Sequence, residues 1–201
     1  MTTTSQSNAD QKAELRKAVM SRRNAVPVDE RKDAAARISD VALTLDVVKG
    51  ATILGGYWPI RSEIDPRAMT EALRADGKVI ALPAVLDKTT IDFRRWQSEA
   101  DLVDAGFGTF APGDHAETIY PDVILAPMVG FDRRGIRLGY GGGYYDRYVE
   151  RLINMDKRPL LVGIAHSCQE VERVPNEVYD IALDCVVTEK EFIICSSGTL
   201  A

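Results

Sequence analysis

The spacing of apolar positions changes several times along the chain, and each change marks a predicted element. Residues 9–25 are good helix formers. Leu15, Ala18 and Val19 give them a thin apolar stripe, and Lys12 and Arg16, four apart, project from the same face. Pro27 ends that helix and Asp29 is placed to cap the next, where Ala34, Ile38, Val41, Ala42 and Leu45 keep helical spacing until Gly50. The run A-T-I-L-G-G-Y-W-P-I then reads as a buried strand that leaves Tyr57 and Trp58 at its carboxyl end. After R-S-E-I-D-P-R, with Asp65 as N-cap and Pro66 at the first helical position, a helix is predicted to about residue 76.

Residues 78–82 form the next predicted strand, ending at Pro83, and 91–96 another. Residues 100–118, which include Phe107 and Phe110, read as an ordered loop. Strands are predicted at 122–126, 160–165 and 185–187, with a short apolar run at 192–195. Between the first two of these, Tyr145, Tyr148, Val149, Leu152 and Ile153 make one helical apolar face. Strands alternating with helices predict an α/β fold, a single-domain three-layer α/β/α sandwich around a mostly parallel open sheet, Rossmann-like in plan. The catalytic domain is expected over 9–195, with an unstructured polar segment at 1–8 and a tail at 196–201.

Composition narrows the partners. At 201 residues and 45% hydrophobic, the chain suits one domain with a real core. A net charge of −5 argues against a nucleic-acid binder, which needs a basic stripe to displace counterions. The amino-terminal segment lacks an apolar signal core and no run is long enough to cross a bilayer, so a cytoplasmic protein without a membrane partner is expected. Cys168, Cys185 and Cys195 are an odd count without metal spacing, which fits reduced structural thiols.

One stretch departs from this average. Six of the 15 glycines fall between Gly130 and Gly143, and between residues 125 and 151 five arginines (133, 134, 137, 147, 151) face three acids (132, 146, 150). Glycines leave backbone amides uncovered, and a glycine loop leading into a helix offers those amides and the positive end of the dipole to an anion. Asp146, in the first turn, suits that dipole and is placed to hold a Mg²⁺ brought by a nucleotide. Neither the P-loop nor the dinucleotide fingerprint fits, because Tyr144 occupies the last position of G-x-G-x-x-G. A plain strand-to-helix connection with solvated arginines competes with the anion seat at this point.

Other candidates are weaker when taken singly. Glu63 and Trp58 lie beside a strand end, where open α/β sheets bind ligands, yet a solvated glutamate and a core tryptophan are the plainer readings. Phe93 and Trp96 suit either a flat heterocycle or the sheet core. His166, at a strand end, is a base or a hydrogen-bonded structural residue, and His115 sits in a polar loop, so no nucleophile pairing is indicated.

The segment G-F-D-R-R-G-I-R-L-G-Y-G-G-G-Y-Y-D-R-Y resembles the 5-formyltetrahydrofolate cyclo-ligase (methenyltetrahydrofolate synthetase) family. K-A-E-L-R, Y-W-P-I-R-S-E-I-D and V-P-N-E-V-Y-D-I-A-L-D-C-V-V-T-E support it in the right order, over roughly residues 10 to 190. The resemblance implies ATP bound by Lys12, Arg16, Arg137, Leu138, Gly139, Tyr140, Gly141, Gly142, Gly143, Tyr144 and Tyr145. It also implies Mg²⁺ on Asp146 and Asp180. The folate is placed at Trp58, Glu63, Tyr140, Gly141, Gly142, Gly143 and Tyr144, with Arg137, Glu63 and Tyr144 closest to the chemistry.

Some members carry a lysine where this chain has Gly142. Arg137, Lys12 and Arg16 are therefore expected to supply the missing charge, with Arg133 or Arg134 assisting. The implied reaction is the ATP-driven cyclisation of 5-formyltetrahydrofolate, with or without a polyglutamate tail, to 5,10-methenyltetrahydrofolate by a monomer. A non-catalytic nucleotide- or folate-binding regulatory module is the alternative. A sugar-phosphate isomerase or acyl-transferase relative is a third reading, disfavoured by the lack of a persuasive acid–base residue.

Overall fold

The computed structural model describes residues 7–106, 108–198 and 200. The expectations for residues 1–6, for Phe107 and for 199 and 201 lie outside them. Asn8, assigned to the unstructured segment, instead opens the first helix.

In chain order the helices are α1 (Asn8–Asn24), α2 (Val28–Thr44), α3 (Asp46–Gly50), α4 (Arg67–Ala75) and α5 (Tyr144–Ile153). The strands are β1 (Ile53–Gly55), β2 (Val79–Val85), β3 (Ile91–Arg95), β4 (Leu102–Asp104), β5 (Phe110–Pro112), β6 (Val123–Ala126), β7 (Gly130–Phe131), β8 (Arg137–Leu138), β9 (Leu160–Ile164), β10 (Cys185–Val187) and β11 (Phe192–Ile194).

Among the described residues the main sheet has seven strands in the order β11-β10-β9-β6-β1-β2-β3. The five inner strands are parallel, and β3 and β11 pair antiparallel at the edges. This is the α/β architecture that the alternation predicts. From β1 the chain moves outward to β2 and β3, then returns to lay β6 on the other side of β1. The strand order therefore reverses between β1 and β6, and in open sheets the crevice at that reversal, beyond the carboxyl ends, is where ligands sit.

Successive side chains of a strand point to opposite faces, and β6 shows how both faces are covered. Val123 and Leu125 join a core with α2, α3 and α4, through Ala34, Ile38, Ala42, Val48, Met69 and Leu73. Ile124 and Ala126 face α5, through Tyr148, Val149 and Leu152. Helix α1 belongs to neither layer. It buries only Val19 and Arg23 and packs beyond the strand ends, where Val19 meets Val129, Ile136, Leu138 and Val174.

Several sequence expectations shift. The second helix breaks at Leu45, whose extended ψ of 132° separates α2 from α3. Pro27, not Asp29, occupies its N-cap position. Helix α4 starts at Arg67, one residue later than expected, and the Asp65 carboxylate accepts from the Arg67 amide. Strand β2 runs through Pro83, because its parallel partner β1 has already ended at Gly55↔Ala81 and no neighbour on that side needs the missing N–H.

Within the predicted loop, Leu102–Asp104 and Phe110–Pro112 pair antiparallel as β4 and β5. A two-stranded ribbon, β7–β8, stands between β6 and α5. Ile153 ends the apolar face of α5 exposed, and Phe93 and Trp96 are core residues, 0% and 2% exposed. All three cysteines are free, and burial pushes the Cys185 and Cys195 thiols up to about 12, which keeps them protonated and inert.

Gly135, in the turn of the β7–β8 ribbon, has φ +92°, and a Cβ there would lie 2.5 Å from the Leu183 carbonyl oxygen. Gly135→Ala should lower stability by about 2–4 kcal/mol, read from urea unfolding. A change under about 0.5 kcal/mol would mean the turn relaxes freely.

Candidate active site

The chain segments that follow β1 and β6 at the sheet reversal carry most of the predicted residues, with Lys12 and Arg16 on α1 and Asp180 before β10. From β1 the backbone passes Tyr57, whose buried hydroxyl donates to the Ile64 carbonyl (2.7 Å), and turns tightly through Glu63 N to Ile60 O. Arg61 holds a left-handed φ of +55° in that turn, a conformation that costs a non-glycine residue about 1 kcal/mol or more. Glu63 Oε2 accepts from the Ile60 amide at 2.9 Å, and Oε1 accepts from the Tyr140 hydroxyl at 2.6 Å. The two loops are thereby joined.

Helix α1 supplies the underside. Lys12, Arg16, Val19 and Arg23 fall at i, i+4, i+7 and i+11, a single stripe facing the strand ends. Arg23 is fully buried and donates to Ser62 Oγ (3.0 Å), the Met128 carbonyl (3.2 Å) and the Tyr140 hydroxyl (3.0 Å). Arg16 donates to the Gly139 carbonyl at 2.7 Å, and Lys12 pairs with Asp180 at 2.7 Å. The sequence reading missed Arg23, although it continues the Lys12–Arg16 face.

A cleft of about 580 Å³ opens between α1, the glycine loop and the segment before β10. Lys12, Arg16 and Arg137 line it together with Leu138, Gly139, Gly141 and Gly143. Asp146 and Asp180 do so too, with Arg147, Glu177 and Tyr179, which the sequence reading did not single out. Gly143, at φ +63°, is the N-cap of α5 and no side chain caps that end, so its first amides are left to the cleft.

Arg137 forks between the Ile181 carbonyl (2.5 Å) and Asp146 Oδ1 (2.6 Å). Arg147 bonds the Gly142 carbonyl at 2.5 Å and the Thr89 carbonyl at 2.7 Å. This places a cation at the loop position where the lysine is absent. Arg133 and Arg134 are elsewhere: Arg133 pairs with Glu170 and Glu191, and Arg134 with Asp132 inside the ribbon turn.

The remaining residues lie nearby in different roles. The Tyr144 hydroxyl is 3.4 Å from the Asp87 carbonyl, with the Arg147 guanidinium over its ring, so Tyr140 and not Tyr144 touches Glu63. Burial and the Glu63 charge raise the Tyr145 hydroxyl. Trp58 is half-buried against Phe110 (ring centroids 5.4 Å) with Arg67 over its face. His166 is 2% exposed and burial lowers its pKa, the state of a structural imidazole.

Burial raises the Glu63 pKa, opposed by the Tyr140 bond, the Ile60 amide and the charges of Arg23 and Arg61. Tyr140 is raised as well, by burial and then by Glu63, so it stays the donor. Asp146 accepts both its bonds on Oδ1, and Asp180 both on Oδ2. Each keeps an oxygen for another ligand. Mg²⁺ asks no more of a protein that binds it with a phosphate, and among the described residues no cluster of three metal-ligating side chains forms a cage.

Fold and site together define an open-sheet α/β protein with a glycine-walled cleft near its strand reversal, where Lys12, Arg16, Arg137 and Arg147 meet Asp146, Glu150, Glu177 and Asp180, a setting suited to a phosphorylated ligand with its metal ion. The sequence profile of the 5-formyltetrahydrofolate cyclo-ligase family matches residues 8–189, and the chain belongs to that family. The Escherichia coli K12 5-formyltetrahydrofolate cyclo-ligase is 30% identical over 85% of this chain and 96% of its own length. The Haemophilus influenzae enzyme of the same name is 28% identical over 88% and 96%. The solved Aquifex aeolicus 5,10-methenyltetrahydrofolate synthetase superposes with a TM-score of 0.81 at 33% identity, covering 93% of this chain and 94% of that one. The Mycoplasma pneumoniae synthetase gives 0.70 at 25%, covering 89% and 98%.

A raised carboxylate pKa means that the charged form is the destabilised one. The contribution of Glu63 to stability is therefore full below its unfolded pKa and is lost as pH rises through its folded pKa. Relative to Glu63→Gln, in which Arg23 loses that neighbouring charge at every pH, the wild-type protein should accordingly lose stability between pH 4 and pH 7, by urea unfolding at the two pH values. In a carbon-13 NMR titration Tyr140→Phe should move the Glu63 midpoint upward, since a bond that lowers the pKa is removed. A downward move would contradict the geometry.

Proposed function

We propose that this protein catalyses the ATP- and Mg²⁺-dependent cyclisation of 5-formyltetrahydrofolate to 5,10-methenyltetrahydrofolate, releasing ADP and phosphate. The observation that carries the reading is the Tyr140–Glu63 bond. It fastens the glycine loop that walls the cleft to the loop that presents Trp58 and Glu63, so two ligands bound on either side would meet at the strand reversal. Family membership supplies the substrates, and the cleft supplies a seat for the nucleotide.

In this reading the formyl oxygen attacks the γ-phosphorus and the bond to the ADP oxygen breaks. The product is an iminium phosphate at N5. N10 then adds to the activated carbon, loses its proton, and the carbon–oxygen bond breaks to expel phosphate. The protein's part is placement and charge, as in phosphoryl transfer generally. Lys12, Arg16, Arg137 and Arg147 balance the triphosphate, and the amides opening α5 cradle it. Asp146 and Asp180 would hold Mg²⁺, which shields phosphate charge when bound. Glu63 offers a half-buried carboxylate to the pterin's donors, with Trp58 as an aromatic wall.

We assign the reaction to a monomer, the state expected from the sequence. Among the described residues no helix is long and apolar enough to cross a membrane, and we assign the reaction to the cytoplasm.

Incubation with 5-formyltetrahydrofolate should produce the near-ultraviolet methenyl chromophore only when ATP and Mg²⁺ are both present. Its appearance without nucleotide, or its failure to appear at all, would overturn the assignment. Arg137→Ala and Asp146→Ala should each reduce turnover by at least about a hundredfold with an unchanged circular dichroism spectrum. Near-normal activity in either would remove the phosphate role of this cleft.

A further inference from the structure

The turn after β1 holds its two carboxylates in different ways. Asp65 takes a direct fork from Arg67, with Nε on Oδ1 at 2.9 Å and Nη2 on Oδ2 at 2.6 Å, and the Arg67 amide and a second Nε contact bring each oxygen to two bonds. Both oxygens are thereby filled. Burial opposes ionisation there, and the Arg67 bonds outweigh it, so the Asp65 pKa is lowered.

Glu63 has its arginine at one remove. Among the described residues Oε2 accepts from the Ile60 amide and Oε1 from the Tyr140 hydroxyl, and behind that hydroxyl stands Arg23. A guanidinium can only donate, so the Tyr140 oxygen accepts from Arg23 Nη2 and its single hydrogen is committed to Glu63. The guanidinium also lies 5.9 Å from the Tyr140 ring centroid, which favours that ring orientation. A carboxylate oxygen accepts two bonds, so each oxygen of Glu63 keeps one site open.

The other partners of Arg23 do not require it. Ser62 Oγ donates onward to Asn24 at 2.6 Å, and the Met128 carbonyl also accepts from Gln169 at 2.8 Å. Removing the guanidinium strands neither of them. A buried charge is unfavourable where an apolar side chain of similar length would pack, and the carboxylate at the end of this chain is what it serves.

We propose that Arg23 is a positioning residue for the folate: acting through Tyr140, it holds Glu63 as an ionised acceptor with one free site on each oxygen for the pterin's N–H donors. The inference rests on the folate reading above and deepens it. A direct fork would fill those sites as it does at Asp65. Without the cation, desolvation would favour the protonated carboxyl, which donates where an acceptor is needed.

Other groups also face Glu63. Arg61 and Asp65 share its turn, Tyr57 follows β1, Tyr145 is on α5, and Arg31, Lys32 and Asp40 reach the adjoining cleft from α2. They are common to every variant below, so a difference between variants reports Arg23 and Tyr140.

The test follows the acid limb of kcat/KM for 5-formyltetrahydrofolate, at saturating ATP and Mg²⁺, in Arg23→Met, Arg23→Lys and Tyr140→Phe. Removing an influence that lowers the Glu63 pKa moves the limb upward, by about one pH unit in Arg23→Met and in Tyr140→Phe. KM for the folate should rise about tenfold in both with kcat kept, and KM for ATP should stay within about twofold in Arg23→Met. Arg23→Lys, which keeps the charge, should return the limb to within about half a unit of wild type. Because Arg23 acts through the phenol, the Arg23→Met/Tyr140→Phe double variant should shift the limb no further than Tyr140→Phe alone.

A reduced folded fraction would lower the rate at every pH and leave the limb in place. Tyr140→Phe, at a ring 40% exposed, carries the test if Arg23→Met does not fold. An unmoved limb in Tyr140→Phe, or additive shifts in the double variant, would overturn the role of Arg23 while the folate assignment stands. If wild-type protein forms no methenyl product, the folate assignment fails first and the positioning role with it.

Discussion

A fully buried guanidinium that touches no carboxylate is the constraint on which this structure depends. Stripping an arginine of water costs several kcal/mol even after relaxation, and only complete hydrogen bonding and a nearby countercharge offset it. Arg23 obtains both at second hand. Its donors go to a serine hydroxyl, a main-chain carbonyl and a phenol, and its countercharge, Glu63, lies on the other side of that phenol. Arg23 itself comes from α1, and these partners come from the loop after β1, the exit of β6 and the glycine loop. If any of these segments is misplaced, a charge is stranded, so one side chain fixes where the parts of the site stand.

The sheet makes that meeting possible. Because the strand order reverses between β1 and β6, their loops diverge from neighbouring strands and leave a crevice with no covering helix of its own. The β7–β8 ribbon and α1 fill its underside. Asp132, 1% exposed, collects the amides of Arg134, Ile136 and Val174 and holds the ribbon turn rigid. Arginines that look alike in sequence are thus divided by their partners. Arg133 and Arg134 are structural, while Arg137 and Arg147 face the cleft.

The core was legible in the sequence because continuous apolar runs and a 3.6-residue stripe report burial directly. Val123 to Ala126 and Tyr148, Val149 and Leu152 read correctly for that reason. Local exceptions were not legible. Pro83 continues a strand only because β1 happens to stop beside it, and Leu45 breaks a helix without glycine or proline. Both depend on neighbours distant in sequence. On the site side, glycine density and charge excess revealed the cleft wall, and the Lys12–Arg16 spacing revealed the α1 stripe. Following that stripe two further turns would have reached Arg23. Tyr140 and Tyr144 could not be told apart, since which ring turns toward Glu63 depends on the left-handed Gly141 and Gly143 between them.

The way α1 is attached has a consequence for how the molecule comes apart. A 17-residue helix that buries little apolar surface beyond Val19 is held by Lys12, Arg16 and Arg23, bonds made to the very segments that form the cleft. Burial sets the free energy of local opening, so α1 and the glycine loop form a cooperative unit less protected than the sheet beneath. The amides of that unit should therefore exchange with solvent ahead of those in β6 and β9, the sheet persisting as a scaffold on which the pocket opens and re-forms.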